Sequence, residues 1–414
     1  MPESNPFKMK KINIIILATL VIAVGIWIIL PPLLHEEDKH PGTTAPVTEE
    51  PEKAVVLEIS AVGDVMVHKP QIAAQYDSAS GAYNFDNNFE YVKKYIEGSD
   101  LALCNLETTF AGGRYTGYPV FNAPESLAAA LKKAGFDVAI TANNHIMDMG
   151  LSGMKRTLEV ARQEGLQTVG THLDGEKEYI IVDVKGVKTG IVAYFYETPE
   201  IGAVPTINGN EISEEAWPLL NTFNYNTLEE DLLKVKQSIK DARADGAELV
   251  ICYFHWGEEY QRSPNEYQQY IAQESAAYGA DIIFASHPHV LQGIEVLTDP
   301  AGRNIPVFYS MGNFISNQRA ETLDNRYTEQ GMIAHVRLEF LKSAGRILSV
   351  EASAIPTWVD KYKKHGKDVY AIIPLDDTFS ENPSLAESGH YARAGQALAD
   401  IRALLGEEYI KTAE

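Results

Sequence analysis

Cysteine is nearly absent: the chain has two in 414 residues, Cys104 and Cys252. Two thiols are too few for the multi-bridge framework of a small secreted scaffold. Each sits inside an apolar run with no charge beside it, which predicts buried thiols rather than a reactive nucleophile. A single disulfide between them stays open. Positive charge is also scarce: 35 Lys and Arg stand against 57 Asp and Glu, for a net charge of −22. That balance excludes nucleic acid and a peripheral anionic lipid surface as partners. It makes any anionic polymer a difficult partner unless a local basic patch or a cation mediates contact. There is no Gly-x-Ser-x-Gly elbow, no Gly-Lys-Ser/Thr phosphate loop, no His-Glu-x-x-His and no internal repeat. The chemistries tied to those motifs lose their support.

What is present is apolar: 45% of residues are hydrophobic, enough for a large core in one or two domains. Residues 1–11 carry Lys8, Lys10 and Lys11 against Glu3, and residues 12–30 carry no charge at all. At helical rise that run spans roughly 28 Å, close to a bilayer core of about 30 Å. Trp27 sits near its outer end, and Glu36, Glu37 and Asp38 follow. The pattern predicts a cytoplasmic tail at 1–11, one transmembrane anchor at 12–30 and a cell-membrane protein whose C-terminal domain is extracellular. The rival is a cleaved signal peptide, but no small-x-small cleavage site follows the run. Residues 31–54, rich in Pro, Thr and Glu, read as a disordered stalk.

Beyond the stalk, one pattern repeats: an apolar strand ends abruptly in polar residues able to bind metal. Strands are expected at 55–65, ending in Gly63-Asp64; at 101–107, ending in Asn105 and Glu107; at 136–145, ending in Asn143-Asn144-His145; and at 248–257, carrying His255. A further one starts at Asp281 and breaks into Ser286-His-Pro-His289, and another spans 304–315 with Ser310, Gly312 and Asn313 at its end. Helices are expected at 89–96, 125–134, 154–164, 228–244, 267–278 and 391–405. Further strands are expected at 167–172, 179–184, 189–196, 332–341 and 347–355. Residues 201–225 show little periodicity and read as an excursion over the site. Helices between the early strands and none between the late ones predict a mixed-sheet α/β fold with its site at the C-terminal strand ends. The main domain is expected at 55–375, followed by a C-terminal helical extension at 376–414.

Collected, the expected metal ligands are Asp64, Glu107, Asn144, His255, His287 and His289. Carboxylate, amide and imidazole together suit Mn, Zn or Fe better than an all-oxygen calcium site. The donor number suffices for one or two divalent ions, the latter bridged by a carboxylate. His145, beside a ligand, is the expected general acid. Asn105, Asn143, Ser310 and Asn313 are expected to contact substrate, with Arg114, Tyr115 and Phe121 in the Gly-rich loop after Glu107 as further candidates.

Gly63-Asp64-Val-Met66, Asn105-Leu-Glu107, Ala142-Asn-Asn-His145, Phe254-His-Trp-Gly257, Ser286-His-Pro-His289 and Met311-Gly-Asn-Phe314 resemble the bacterial capsule-synthesis family of the CapA type. The resemblance runs from about Leu57 to Leu375. It implies poly-γ-glutamate capsule synthesis and a calcineurin-like metallophosphoesterase fold, a four-layer α/β/β/α sandwich. It places metal ligands on Asp64, Asn144, His255, His287 and His289, and the acid role on His145. The chain departs from that superfamily in two places. Met66 stands where an Asp-x-His imidazole is usual, with His68 as a nearby substitute, and Glu107 stands where a bridging Asp is usual. The implied partners are the membrane, other capsule-synthesis subunits and an anionic polymer such as poly-γ-glutamate. Two alternatives stay open: a non-catalytic scaffold or export subunit of the capsule complex, and a phosphoesterase or amidase acting on another cell-envelope substrate.

Overall fold

The computed structural model describes residues 53–201 and 204–411. The expected tail at 1–11, the anchor at 12–30 and nearly all of the stalk at 31–54 lie outside the described residues. Among the described residues, no helix is long and apolar enough to cross a membrane.

Two mixed sheets organise the chain. The first has eight strands. Val55–Val65, Leu101–Leu106, Val138–Ile140 and Gln167–Val169 lie side by side and parallel. Gln330–Leu341, Arg346–Lys364 and Lys367–Pro374 extend the other flank antiparallel. The second has seven strands. Its parallel centre is Val187–Tyr196, Leu249–His255, Ile282–Ser286 and Asn304–Phe308.

Period-two alternation decides which side chains meet which neighbours. Leu101 and Leu103 join a core that also takes Ile251, Tyr253, Ile282 and Phe284 from the second sheet. Their strand neighbours Ala102 and Cys104 pack instead with Leu127 and Leu131 of the Ser126–Ala134 helix and with Ala161 of the Gly150–Gln163 helix. In the second sheet, Cys252 and Phe254 pack with Leu232 and Ile239 of the Leu228–Ala244 helix and Ile271 of the Glu266–Tyr278 helix. The strands are therefore apolar on both faces, as parallel strands covered on both sides must be. Cys104 and Cys252 are buried free thiols.

Three sequence expectations are corrected. Residues 304–315 are not one strand: Asn304–Phe308 belongs to the second sheet and Asn313–Ile315 to the first. Between them Met311 N–H donates to Ala285 O at 3.0 Å, and Gly312 O accepts from Asp64 N–H at 3.0 Å, so the segment joins the two sheets at their ends. This requires glycine at position 63, where a Cβ would lie 2.0 Å from Gly312 O. Residues 201–225 carry structure of their own. A three-stranded sheet of Thr198–Ile201, Val204–Ile207 and Asn210–Glu211 turns at Asn208-Gly209, both left-handed. The late strand expected at 347–355 runs on to Lys364 and returns as Lys367–Pro374 after a left-handed His365-Gly366 turn. The terminal helix lies at Tyr391–Leu405 as expected, and its Ala394, Ala397 and Ile401 are buried in the core cluster that draws on both sheets.

Candidate metal centre

The carboxyl ends of the parallel strands of both sheets bring the expected ligands together. Asp64 is the penultimate residue of Val55–Val65 and pairs in register with Asn105 of the next strand. Glu107 follows one residue past Leu101–Leu106. His255 ends Leu249–His255 in register with Ser286, and the His287-Pro-His289 turn follows directly. His287 and His289 hold φ of 104° and 57°, a conformation that costs a non-glycine residue free energy and that marks functional turns.

Ligating atoms fall into two buried groups, Asp64–Glu107–His255 and Glu107–His287–His289, each with its donors within 4.8 Å of one another. Glu107 belongs to both, the position of a bridging carboxylate. Its Oε1 lies 3.7 Å from His255 Nε2 and 4.0 Å from His289 Nε2, yet accepts no hydrogen bond. His287 Nδ1 is likewise buried without a partner. Asn144 Oδ1 meets His255 Nε2 at 2.9 Å, so the amide oxygen points at the same place.

The electrostatics call for a cation. Burial, and then the charge of Asp64, push the Glu107 carboxyl well above its ordinary range. Burial pushes His255 down to about 3 and holds His287 well below its ordinary value. Burial also pushes Asp64 up, but the hydrogen bond and charge of His289 outweigh it and hold the carboxyl below the usual range. A divalent ion would add positive charge beside Asp64 and Glu107, where burial holds His255 and His287 below their ordinary range. The residues present are therefore compatible with the divalent metal that the sequence implies.

The remaining expected residues divide by what they touch. Asn105 Nδ2 lies 2.9 Å from Asp64 Oδ1, 3.4 Å from Glu107 Oε2 and 3.4 Å from His255 Nδ1. Asn143 donates to Asn105 Oδ1 at 3.1 Å and to Leu106 O at 2.9 Å. Both are buried; Asn105 lies against three expected ligands, and Asn143 holds Asn105. Ser310 donates to Val290 O at 2.7 Å, and Asn313 donates to His289 O at 3.2 Å and Thr328 O at 2.9 Å. Their donors hold the histidine turn. His145 Nδ1 sits 2.8 Å from Asp148 Oδ2, and its ring packs edge-on against Phe121 at 4.6 Å. Tyr115 is turned away to Glu125. His68 joins neither donor group: its Nδ1 accepts from Asn317 N–H at 3.3 Å, and Met66 is buried.

Three residues at the site escaped the sequence reading in their roles. Asp148 orients His145, and Asn208, at the tip of the inserted hairpin, places its amide 3.3 Å from His145 Nδ1. Tyr196 sets its ring 4.7 Å from His287. Tyr196 ends an apolar strand, so the same strand-end signal was available there.

The fold and site thus define an α/β protein with a buried carboxylate–imidazole centre at its strand ends. The chain belongs to the bacterial capsule synthesis protein PGA_cap family, whose model matches residues 58–318. It is 31% identical over 272 residues to the capsule biosynthesis protein CapA of Bacillus anthracis, covering 63% of this chain and 60% of that protein. It is 29% identical over 270 residues to the PGA biosynthesis protein CapA of Bacillus subtilis, covering 64% of each. The matched region thus spans less than two thirds of these curated relatives. Among solved structures, a phosphatase of Mycoplasma pneumoniae covers 73% of this chain and 94% of its own, at TM-score 0.41 and 15% identity. A hypothetical protein of Thermus thermophilus covers 72% of this chain and 99% of its own, at TM-score 0.39 and 13% identity.

Proposed function

We propose that the chain is a membrane-anchored, extracellular component of poly-γ-glutamate capsule synthesis and that its strand-end centre performs metal-dependent, hydrolase-like chemistry. The observation that carries the reading is the pair of buried donor groups sharing Glu107, in which Glu107 Oε1 and His287 Nδ1 have no partner inside the protein. Asp64, Glu107, Asn144 and His255 would hold one ion, and Glu107, His287 and His289 a second. Bound there, a divalent metal supplies Lewis acidity and a water acidic enough to attack near neutral pH.

The chain's own side chains do the rest. Asn105 fixes both carboxylates from between them. Asp148 holds the Nδ1 side of His145, leaving Nε2 to pass a proton to a leaving group. The membrane through residues 12–30, neighbouring capsule subunits and the anionic polymer are the partners this reading requires. The four-layer α/β/β/α arrangement fits a core shared by two sheets, each covered outside by helices.

A second reading has one observation in its favour. Met66 is buried where the superfamily pattern has an imidazole, which fits a scaffold or export subunit retaining a reduced centre. The two separate on His287→Ala in the full-length chain, with membrane insertion checked by immunoblot. Loss of surface polymer supports chemistry at the centre, and retained polymer supports the scaffold. If deletion of the whole chain leaves surface polymer intact, the capsule assignment itself fails.

A further inference from the structure

A cleft of about 490 Å³ leads away from the metal centre past His287. One side is aromatic. Tyr196 lies 4.7 Å from His287 and Tyr225 lies 6.1 Å from Tyr196, so two tyrosine rings line the cleft beside the centre. The rest of the lining is acidic or neutral. Glu197 accepts from Thr222 Oγ1 at 2.6 Å and Asn224 Nδ2 at 3.1 Å, while Glu258 and Glu259 stand exposed at the cleft. No Lys or Arg is among the lining residues. His287, 3% exposed, also lines the cleft, so the cleft opens directly onto the proposed centre.

Tyrosine faces beside carboxylates with no Lys or Arg in the same lining attract an organic cation. The same surface repels a row of carboxylates. We propose that this cleft is an amine-recognition subsite, seating a protonated primary amine against Tyr196 and Tyr225 with Glu258 and Glu259 as counter-charges. The inference rests on the reading of the adjacent centre as the working site, and it names the part of the substrate presented there. For a γ-linked acidic chain, that part is the free amino end, whose ammonium offsets its own carboxylate, rather than the interior. A chain with net charge −22 then meets an anionic polymer at its least negative residue.

The test is calorimetric titration of the full-length, detergent-solubilised protein, with metal quantified in every sample. The probes are a γ-glutamyl dipeptide with a free amino end and its N-acetylated form. The free amine is expected to bind about tenfold or more tightly than the acetylated form. Glu258→Gln/Glu259→Gln is expected to abolish that preference while metal content stays unchanged. Equal binding of both probes, or binding of neither, overturns the amine subsite. Metal content reports independently on the centre, so an amine-blind protein that retains its metal refutes the subsite alone.

Discussion

His289 Nδ1 and Asp64 Oδ2 lie 2.9 Å apart, although one comes from the turn after a strand of the second sheet and the other is the penultimate residue of a strand of the first. The hydrogen bond and charge of Asp64 raise His289 against burial, and those of His289 lower Asp64 against burial, so each favours the charged form of the other. Asp64→Ala leaves His289 buried without its counter-charge. Breaking such a pair costs about 3–5 kcal/mol. Chemical denaturation is expected to show a loss in that range, with metal content reduced in the same sample; an unchanged midpoint would contradict the pairing.

Asn105 is expected to act on metal affinity without being a ligand. It touches Asp64, Glu107 and His255 and is itself held by Asn143. Removing a residue that orients ligands typically costs 10–100-fold in affinity. Asn105→Ala is expected to show a loss of roughly that size in competition with a metal indicator. Affinity equal to the parent protein would make Asn105 a spacer.

Gly63 is the point where two chain segments touch. A Cβ at that position would sit 2.0 Å from Gly312 O, so Gly63→Ala has to push apart the contact that joins the sheets. Overpacking of this kind costs about 1–3 kcal/mol or more. A lower melting temperature with impaired metal retention is the expected outcome, because Asp64 is the next residue. A variant that melts like the parent would mean that the contact yields without cost.

The residues that cluster at the strand ends were more legible in the sequence than the fold around them. Asp64, Glu107, Asn144, His255, His287 and His289 each interrupt an apolar run, and burial of charge or imidazole at a strand end has few structural uses. Their supporting residues were harder to read. Asp148 lies one helical turn from His145, a spacing shared by countless surface pairs. Asn208 reaches the site only because the inserted hairpin folds back, which depends on contacts distant in sequence. Two hairpins were legible in principle, since Asn208-Gly209 and His365-Gly366 both place a glycine after a residue in the left-handed region. The crossing at Tyr309 to Gly312 was not legible, because apolar alternation continues through it into the other sheet.

His68, which is not an expected ligand, also predicts an acid response. Burial pushes it down to about 4 from an ordinary 6.5, and its Nδ1 accepts from Asn317 N–H, which needs the neutral ring. The unfolded chain therefore binds more protons between those two values. Stability is fully present above about pH 6.5 and is lost as pH falls toward 4, with a contribution of order 1–3 kcal/mol. Melting temperature against pH is expected to slope less steeply in His68→Phe, which keeps the edge-on contact with Phe121. Parallel slopes would show that His68 titrates normally.

The most direct test is elemental analysis of the full-length protein, purified without chelator or metal-affinity resin, beside the His287→Ala/His289→Ala variant. Two donor groups sharing Glu107 predict close to two transition-metal ions per chain, with the second group's ion lost and the first weakened in the variant. A folded protein that stays metal-free after Mn and Zn are added back would contradict the account.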